Sequence, residues 1–96
     1  MIGKLNGQCF EDPRGSRVLP HGPLQSSDMT IAKCKKFCAD KNYKYAGVEF
    51  AKQCFCGNDR PNILAPETDC SMPCTGDESE TCGAGHRINV YQLGNE

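Results

Sequence analysis

The chain has no tryptophan, only two histidines, and no apolar run approaching the ~20 residues a membrane-spanning helix needs. The first absence removes the best aromatic platform for a sugar ring, and the last argues against direct membrane insertion. An excess of one charge is missing too. With 11 Lys and Arg against 12 Asp and Glu the net charge is −1, which gives no overall pull toward nucleic acid or an anionic membrane. There is no Asn-x-Ser/Thr acceptor for an N-linked glycan.

Motifs for chemistry are equally scarce. Cys-x-x-Cys, whose bite zinc ribbons favour, does not occur, and His21 and His86 lie in turn-rich segments rather than at ligand spacing. No metal and no cofactor are expected. Nothing resembles Gly-x-Ser-x-Gly, His-Glu-x-x-His or a Cys/His pair with a free thiol, so no catalytic residue is identified and the chain reads as a non-enzyme. Glu49 with Asp59, or Glu11 with Asp12, could be imagined as a glycosidase pair, but without a cleft-sized scaffold such carboxylates read as surface charge.

What is abundant is cysteine: Cys9, Cys34, Cys38, Cys54, Cys56, Cys70, Cys74 and Cys82 in 96 residues. An even count in so short a chain is the composition of small extracellular domains whose core is too small to hold the fold alone. Each bridge is worth roughly 2 to 4 kcal/mol, so four would supply most of the net stability. The expected location is secreted or cell-surface, in an oxidising compartment. Met1-Ile2-Gly3-Lys4 lacks the apolar core of a secretory signal, so the sequence is expected to be a monomeric fragment of a larger protein.

The first third is punctuated by Asn6-Gly7, Asp12-Pro13-Arg14-Gly15 and Pro20-His21-Gly22-Pro23, leaving short extended pieces at Gln8–Phe10 and Arg17–Leu19. Thr30 then caps a helix in which Ile31, Cys34, Phe37 and Cys38 form one apolar stripe and Met29 is placed to staple the entry. Asn42 suits a left-handed stop. Tyr43–Phe50 and Cys54–Gly57 read as two strands of a hairpin joined by Ala51-Lys52-Gln53, with Phe50 opposite Cys54 and Val48 opposite Cys56. Residues 58–73 read as a loop held by Cys70, residues 74–82 as a small acidic loop, and Arg87–Tyr91 as a last strand.

Cys34 and Cys38 fall on one face of the helix, and Cys54 and Cys56 on one face of a strand. A helix laid across the hairpin would let the two pairs meet in adjacent bridges, either Cys34–Cys54 with Cys38–Cys56 or the crossed alternative.

These residues carry a resemblance. Cys9-Phe10, Arg17-Val18-Leu19, Met29-Thr30, Cys34-x-x-x-Cys38, Tyr45-Ala46-Gly47-Val48-Glu49, Cys54-Phe55-Cys56-Gly57-Asn58, Cys70-x-x-x-Cys74-x-Gly76, Cys82-Gly83 and Val90-Tyr91 are similar to a WSC domain, the cysteine-rich module of fungal cell-wall stress sensors. The likeness runs over 8–91, leaving 1–7 and 92–96 as flanking tails. It implies an α+β, PAN/apple-like domain: a short antiparallel sheet crossed by one main helix, with bridges Cys9–Cys70, Cys34–Cys54, Cys38–Cys56 and Cys74–Cys82. It also implies a carbohydrate-binding module, with fungal cell-wall polysaccharide such as β-1,3-glucan as leading ligand, and chitin or xylan next. The same module occurs in secreted fungal oxidases and glucanases, in Kremen-type receptors and in polycystins. A protein-recognition or self-associating ectodomain module is therefore the alternative.

A sugar is held by aromatic rings against its C–H faces and by polar side chains on its hydroxyls. Tyr45, Glu49 and Phe55 are expected to project from the hairpin face opposite the cysteines, with Asn58 at the edge and with Arg87, Asn89 and Tyr91 alongside if the last strand joins that sheet. Phe37 and Phe50 are expected in the core. Either this face is a shallow polysaccharide platform, or a second segment such as Gln8–Phe10 or the 60s loop covers it. A basic stretch over 33–60 and an acidic one over 61–96 would in turn suit a charged protein partner.

Overall fold

The computed structural model describes residues 5–13 and 17–94. Arg14 and Gly15 of the expected turn, and the tail residues 1–4 and 95–96, lie outside the described residues.

Helix α1 spans Ile31–Asp40. Thr30 caps it in extended geometry, its hydroxyl accepting the Lys33 N–H at 3.0 Å. The stop is Asn42, whose φ of 67° lets the Tyr43 N–H return to the Cys38 carbonyl at 3.1 Å. Cys34 and Cys38 are the buried residues of this helix, and they face the sheet.

Among the described residues, seven strands form two antiparallel sheets: β1 (Asn6–Glu11), β2 (His21–Gln25), β3 (Tyr45–Glu49), β4 (Gln53–Gly57), β5 (Pro73–Cys74), β6 (Asp77–Thr81) and β7 (Arg87–Gln92). Five of them make the main sheet, in the order β1-β7-β3-β4-β2, and β5 pairs with β6. The last strand thus sits inside the sheet, between β1 and β3. The chain is α+β, with one helix crossing an antiparallel sheet and four disulfides.

The bridges join Cys9 to Cys70, Cys34 to Cys54, Cys38 to Cys56 and Cys74 to Cys82, with Cα separations of 5.9, 5.4, 5.4 and 4.9 Å. Two of them tie α1 to β4, and the choice left open by geometry is the uncrossed one.

The hairpin register differs from the expected one. Glu49 pairs with Gln53, Val48 with Cys54 and Ala46 with Cys56, so the loop is 50–52 and β3 stops before Phe50. Phe50 and Ala51 adopt left-handed φ of 54° and 68°. The Ala51 N–H bonds the Cys82 carbonyl at 2.9 Å and its carbonyl accepts the Thr75 N–H at 3.0 Å, so distant chain holds the turn. Phe50, expected in the core, is therefore 45% exposed at the tip. The pairing has moved by two residues, which leaves the assignment of side chains to faces unchanged.

Other departures lie where pairing is long-range. Pro20-His21-Gly22-Pro23, read as a turn, supplies most of edge strand β2, where a proline costs no ladder bond and the register breaks between His21 and Leu24. Arg17–Leu19 is irregular rather than extended, and the acidic loop is the β5–β6 hairpin. At the ends, Leu5 is buried and the Gln92 N–H bonds its carbonyl at 2.9 Å.

Each face of the sheet has its own core. Met29, Ala46, Val48 and the bridges of α1 fill one; Leu5, Phe10, Leu19, Tyr45, Phe55, Ile88 and Val90 fill the other. Leu19 enters the second through space left by two glycines: a Cβ on Gly47 would lie 2.9 Å from Leu19 and 2.4 Å from Ile88, and one on Gly57 2.9 Å from Leu19.

Candidate functional site

The six residues expected on one ligand-facing surface occupy both faces of the sheet. Tyr45, Glu49 and Phe55 do share a face, but it is the second core: they are 9%, 2% and 3% exposed, under Leu5, Phe10, Val18 and Leu19. A second segment covers that face. In β7, Val48 pairs with Asn89 and Ala46 with Tyr91, so Asn89 and Tyr91 point to the helix side. Asn89 is 5% exposed and works as a pin, its Oδ1 accepting the Gly83 N–H at 2.7 Å and its Nδ2 donating to the Gly7 carbonyl at 2.9 Å. Tyr91 is half-buried against the helix-side core, with Lys35 Nζ 4.7 Å from its ring centre. Asn58 is exposed at the end of β4 and accepts the Lys44 N–H at 3.0 Å.

The carboxylates that meet are Asp12 and Glu49, neither of them surface charge at 1% and 2% exposed. Arg17 joins both, its Nη1 lying 2.7 Å from Asp12 Oδ2 and 3.1 Å from Glu49 Oε2, and its guanidinium stacks 5.0 Å from the Phe55 ring centre. Burial, followed by the neighbouring Asp12 carboxyl, pushes Glu49 up to about 9 against the pull of Arg17. Glu49 Oε1 has no hydrogen-bond partner among the described residues, an arrangement a neutral carboxyl tolerates better than a charged one. Burial also opposes the charge on Asp12, but the Glu49 carboxyl, the Val18 N–H at 2.9 Å and Arg17 outweigh it and hold Asp12 below the ordinary carboxylate range. One proton and one cation thus neutralise two buried acids and fix Val18–Leu19 over the sheet. The three side chains make a structural clasp with little open surface for a substrate.

The surface has an aromatic pair elsewhere. Tyr43 follows the helix stop directly and is half-buried against the helix-side core where α1 gives way to β3. The His21 ring of edge strand β2 lies 4.6 Å from it, tilted by 31°. A cleft of about 290 Å³ opens beside Tyr43, lined by Ala39, Asn42, Lys44, Leu93 and Gly94. Lys44 ties its walls together, donating its N–H to Asn58 and accepting the Leu93 N–H at 2.8 Å. The pairing of Tyr43 with His21 crosses the sheet and leaves no local signal.

The sulfurs of Cys34, Cys38 and Cys54 lie within 4.8 Å of one another, the spacing of a metal cluster. All three are in disulfides and offer no thiolate to an ion.

Residues 6–84 match the family model of the WSC domain. A WSC domain-containing protein of Arthroderma benhamiae is 43% identical over 86 residues, covering 88% of this chain and 12% of the relative. Xylosyltransferase oxt of Drosophila melanogaster is 37% identical over 90 residues, 90% of this chain and 10% of the relative. Kremen protein 2 of Homo sapiens is 36% identical over 88 residues, 88% of this chain and 19% of the relative. The chain spans a fifth or less of the length of each of these three proteins.

Proposed function

The chain belongs to the WSC-domain family, and on that premise we propose that it is a non-catalytic extracellular carbohydrate-binding module, with fungal cell-wall polysaccharide such as β-1,3-glucan as its ligand. The observation that carries the reading is the pair of exposed His21 and half-buried Tyr43, with Tyr43 lining a cleft together with Asn42 and Lys44, whose N–H Asn58 holds. Rings in that position pack on the C–H face of a sugar while neighbouring amides meet its hydroxyls. Tyr91 and Lys35, beside a second hollow lined by Leu5, Asn6 and Gln92, extend the same kind of surface. Tyr45, Glu49, Phe55 and Asn89 serve the scaffold in this reading.

A shallow cleft with one ring pair binds each chain weakly, so retention on a wall rests on repeated sites along the polymer or on several copies of the module. Relatives in which the domain is a small share of the length fit a module attached to larger proteins.

Replacing His21, Tyr43 and Asn58 one at a time by Ala and measuring pull-down on insoluble β-1,3-glucan, chitin and xylan tests the assignment. We expect retention to fall about tenfold for Tyr43→Ala and less for the other two, with the fold intact by NMR. Unchanged retention in all three variants sinks it. Binding to neutral glucan should hardly respond to salt, whereas a charge-steered protein contact, the reading the Kremen relative favours, should weaken as salt rises.

A further inference from the structure

The outer edge of β1 is occupied. Its Glu11 N–H bonds the Ile63 carbonyl at 2.9 Å, the Cys9 carbonyl accepts the Ala65 N–H at 2.9 Å, and the Cys9 N–H bonds Glu67 Oε2 at 3.0 Å. Phe10 and Leu64 therefore face each other as an antiparallel pair flanked by hydrogen bonds rather than joined by them. In such a pair the N–H and C=O of each residue point away from its partner. Those of Phe10 point toward β7, where it pairs with Ile88. Those of Leu64 point outward, and the backbones of Leu64 and Asn62 make no hydrogen bond to any described residue.

Residues 62–65 are thus the true edge of the main sheet, and an open one. Pro61 and Pro66 bracket them and limit the length another strand can pair with. Two of its side chains are apolar and out of the core: Leu64 is 66% and Ile63 47% exposed. Against this edge lies a hollow of about 380 Å³, walled by Leu5, Phe10, Pro61 and Leu64, with Gln8, Arg60 and Asn62 at its polar points.

We propose that Asn62–Ala65 is a strand-addition site that takes a short extended peptide, pairing its backbone with Leu64 and placing one apolar side chain in the hollow. Unpaired main-chain groups at a sheet edge select an extended polypeptide, and a neighbouring apolar pocket selects a side chain. A sugar is the poorer fit, because Phe10, the one ring among the lining residues, is 3% exposed and offers no face to it. A second copy of the chain is also a poorer fit. A stable dimer needs roughly 800 Å² per partner, and a four-residue edge between prolines is far too small to supply it. The site uses none of the residues of the Tyr43 cleft and shares Leu5 alone with the second hollow, so it is tested separately from sugar binding at Tyr43.

The probe is a random dodecapeptide phage library panned against the oxidised domain, followed by NMR with the enriched peptides. We expect sequences with one recurrent large apolar residue. Their binding should shift the amides of Asn62–Ala65 and slow hydrogen exchange at Leu64 in the unaltered protein. Leu64→Pro removes the outward N–H without touching an internal bond and should weaken binding about tenfold. Leu64→Thr keeps the edge but strips the apolar wall and should weaken it severalfold. Failure to enrich any peptide overturns the proposal, as does binding that leaves the Leu64 amide unprotected. It is equally overturned if laminarihexaose, a soluble β-1,3-glucan fragment, shifts Asn62–Ala65 and no peptide does.

Discussion

Glu49 shows how far one buried group can set the behaviour of a small domain. Its carboxyl ionises near 4.5 when exposed and is pushed to about 9 in the folded protein, so between those values the unfolded chain binds fewer protons and stability falls as pH rises. The stabilisation is full below about 4.5 and lost through about 9. Asp12 acts in the opposite sense: its lowered pKa contributes stability above the ordinary 3.8, lost as pH falls through the folded value. Urea denaturation of the native protein from pH 5 to pH 9 should therefore show a falling midpoint. In Glu49→Gln that slope should flatten, because the amide needs no proton taken up on folding. A midpoint that stays level in the native protein would refute the neutral Glu49.

At the scale of elements, α1 is held at its start from two sides. Thr30 supplies the local cap, and Glu80, from β6, accepts the Ile31 N–H at 3.0 Å. An acid from another element thus takes the place of the first-turn acid the helix lacks. Thr30→Ala should cost about 1 kcal/mol of stability in the same denaturation experiment. The cap, the stop at Asn42 and the cysteine stripe were legible because each is set by residues within a turn or two. The two faces of the hairpin were legible because a two-residue register shift preserves them. What escaped reading was fixed at long range. The side of the sheet taken by Asn89 and Tyr91 follows from how β7 inserts between β1 and β3. The loss of the expected platform follows from the Arg17 clasp that lays Leu19 over Tyr45 and Phe55. No local pattern announces either.

For the whole molecule, the bridges are not equivalent. Cys9–Cys70 closes a sequence separation of 61 residues and Cys74–Cys82 one of 8. If the unfolded-chain entropy dominates, replacing the first pair by Ser should cost about 4 kcal/mol and the second about 2.5 kcal/mol, measured by thermal or urea unfolding. An equal loss from both would place the stabilisation in native contacts instead.

The order of those bridges also decides what the domain does under tension. A pull applied at Leu5 and at Gly94 travels through covalent bonds from Leu5 to Cys9, across to Cys70, along to Cys74, across to Cys82 and out. Residues 10–69, with α1 and the β3–β4 hairpin and its two bridges, lie off that path, as does the chain between Cys74 and Cys82. Stretching the ends can peel β7 and the start of β1 from the sheet, but it cannot draw out the chain between Cys9 and Cys70. A module anchored in a larger protein would thus carry load along the Leu93–Gly94 wall of the Tyr43 cleft, while the covalent chain of the helix and hairpin lies off the path.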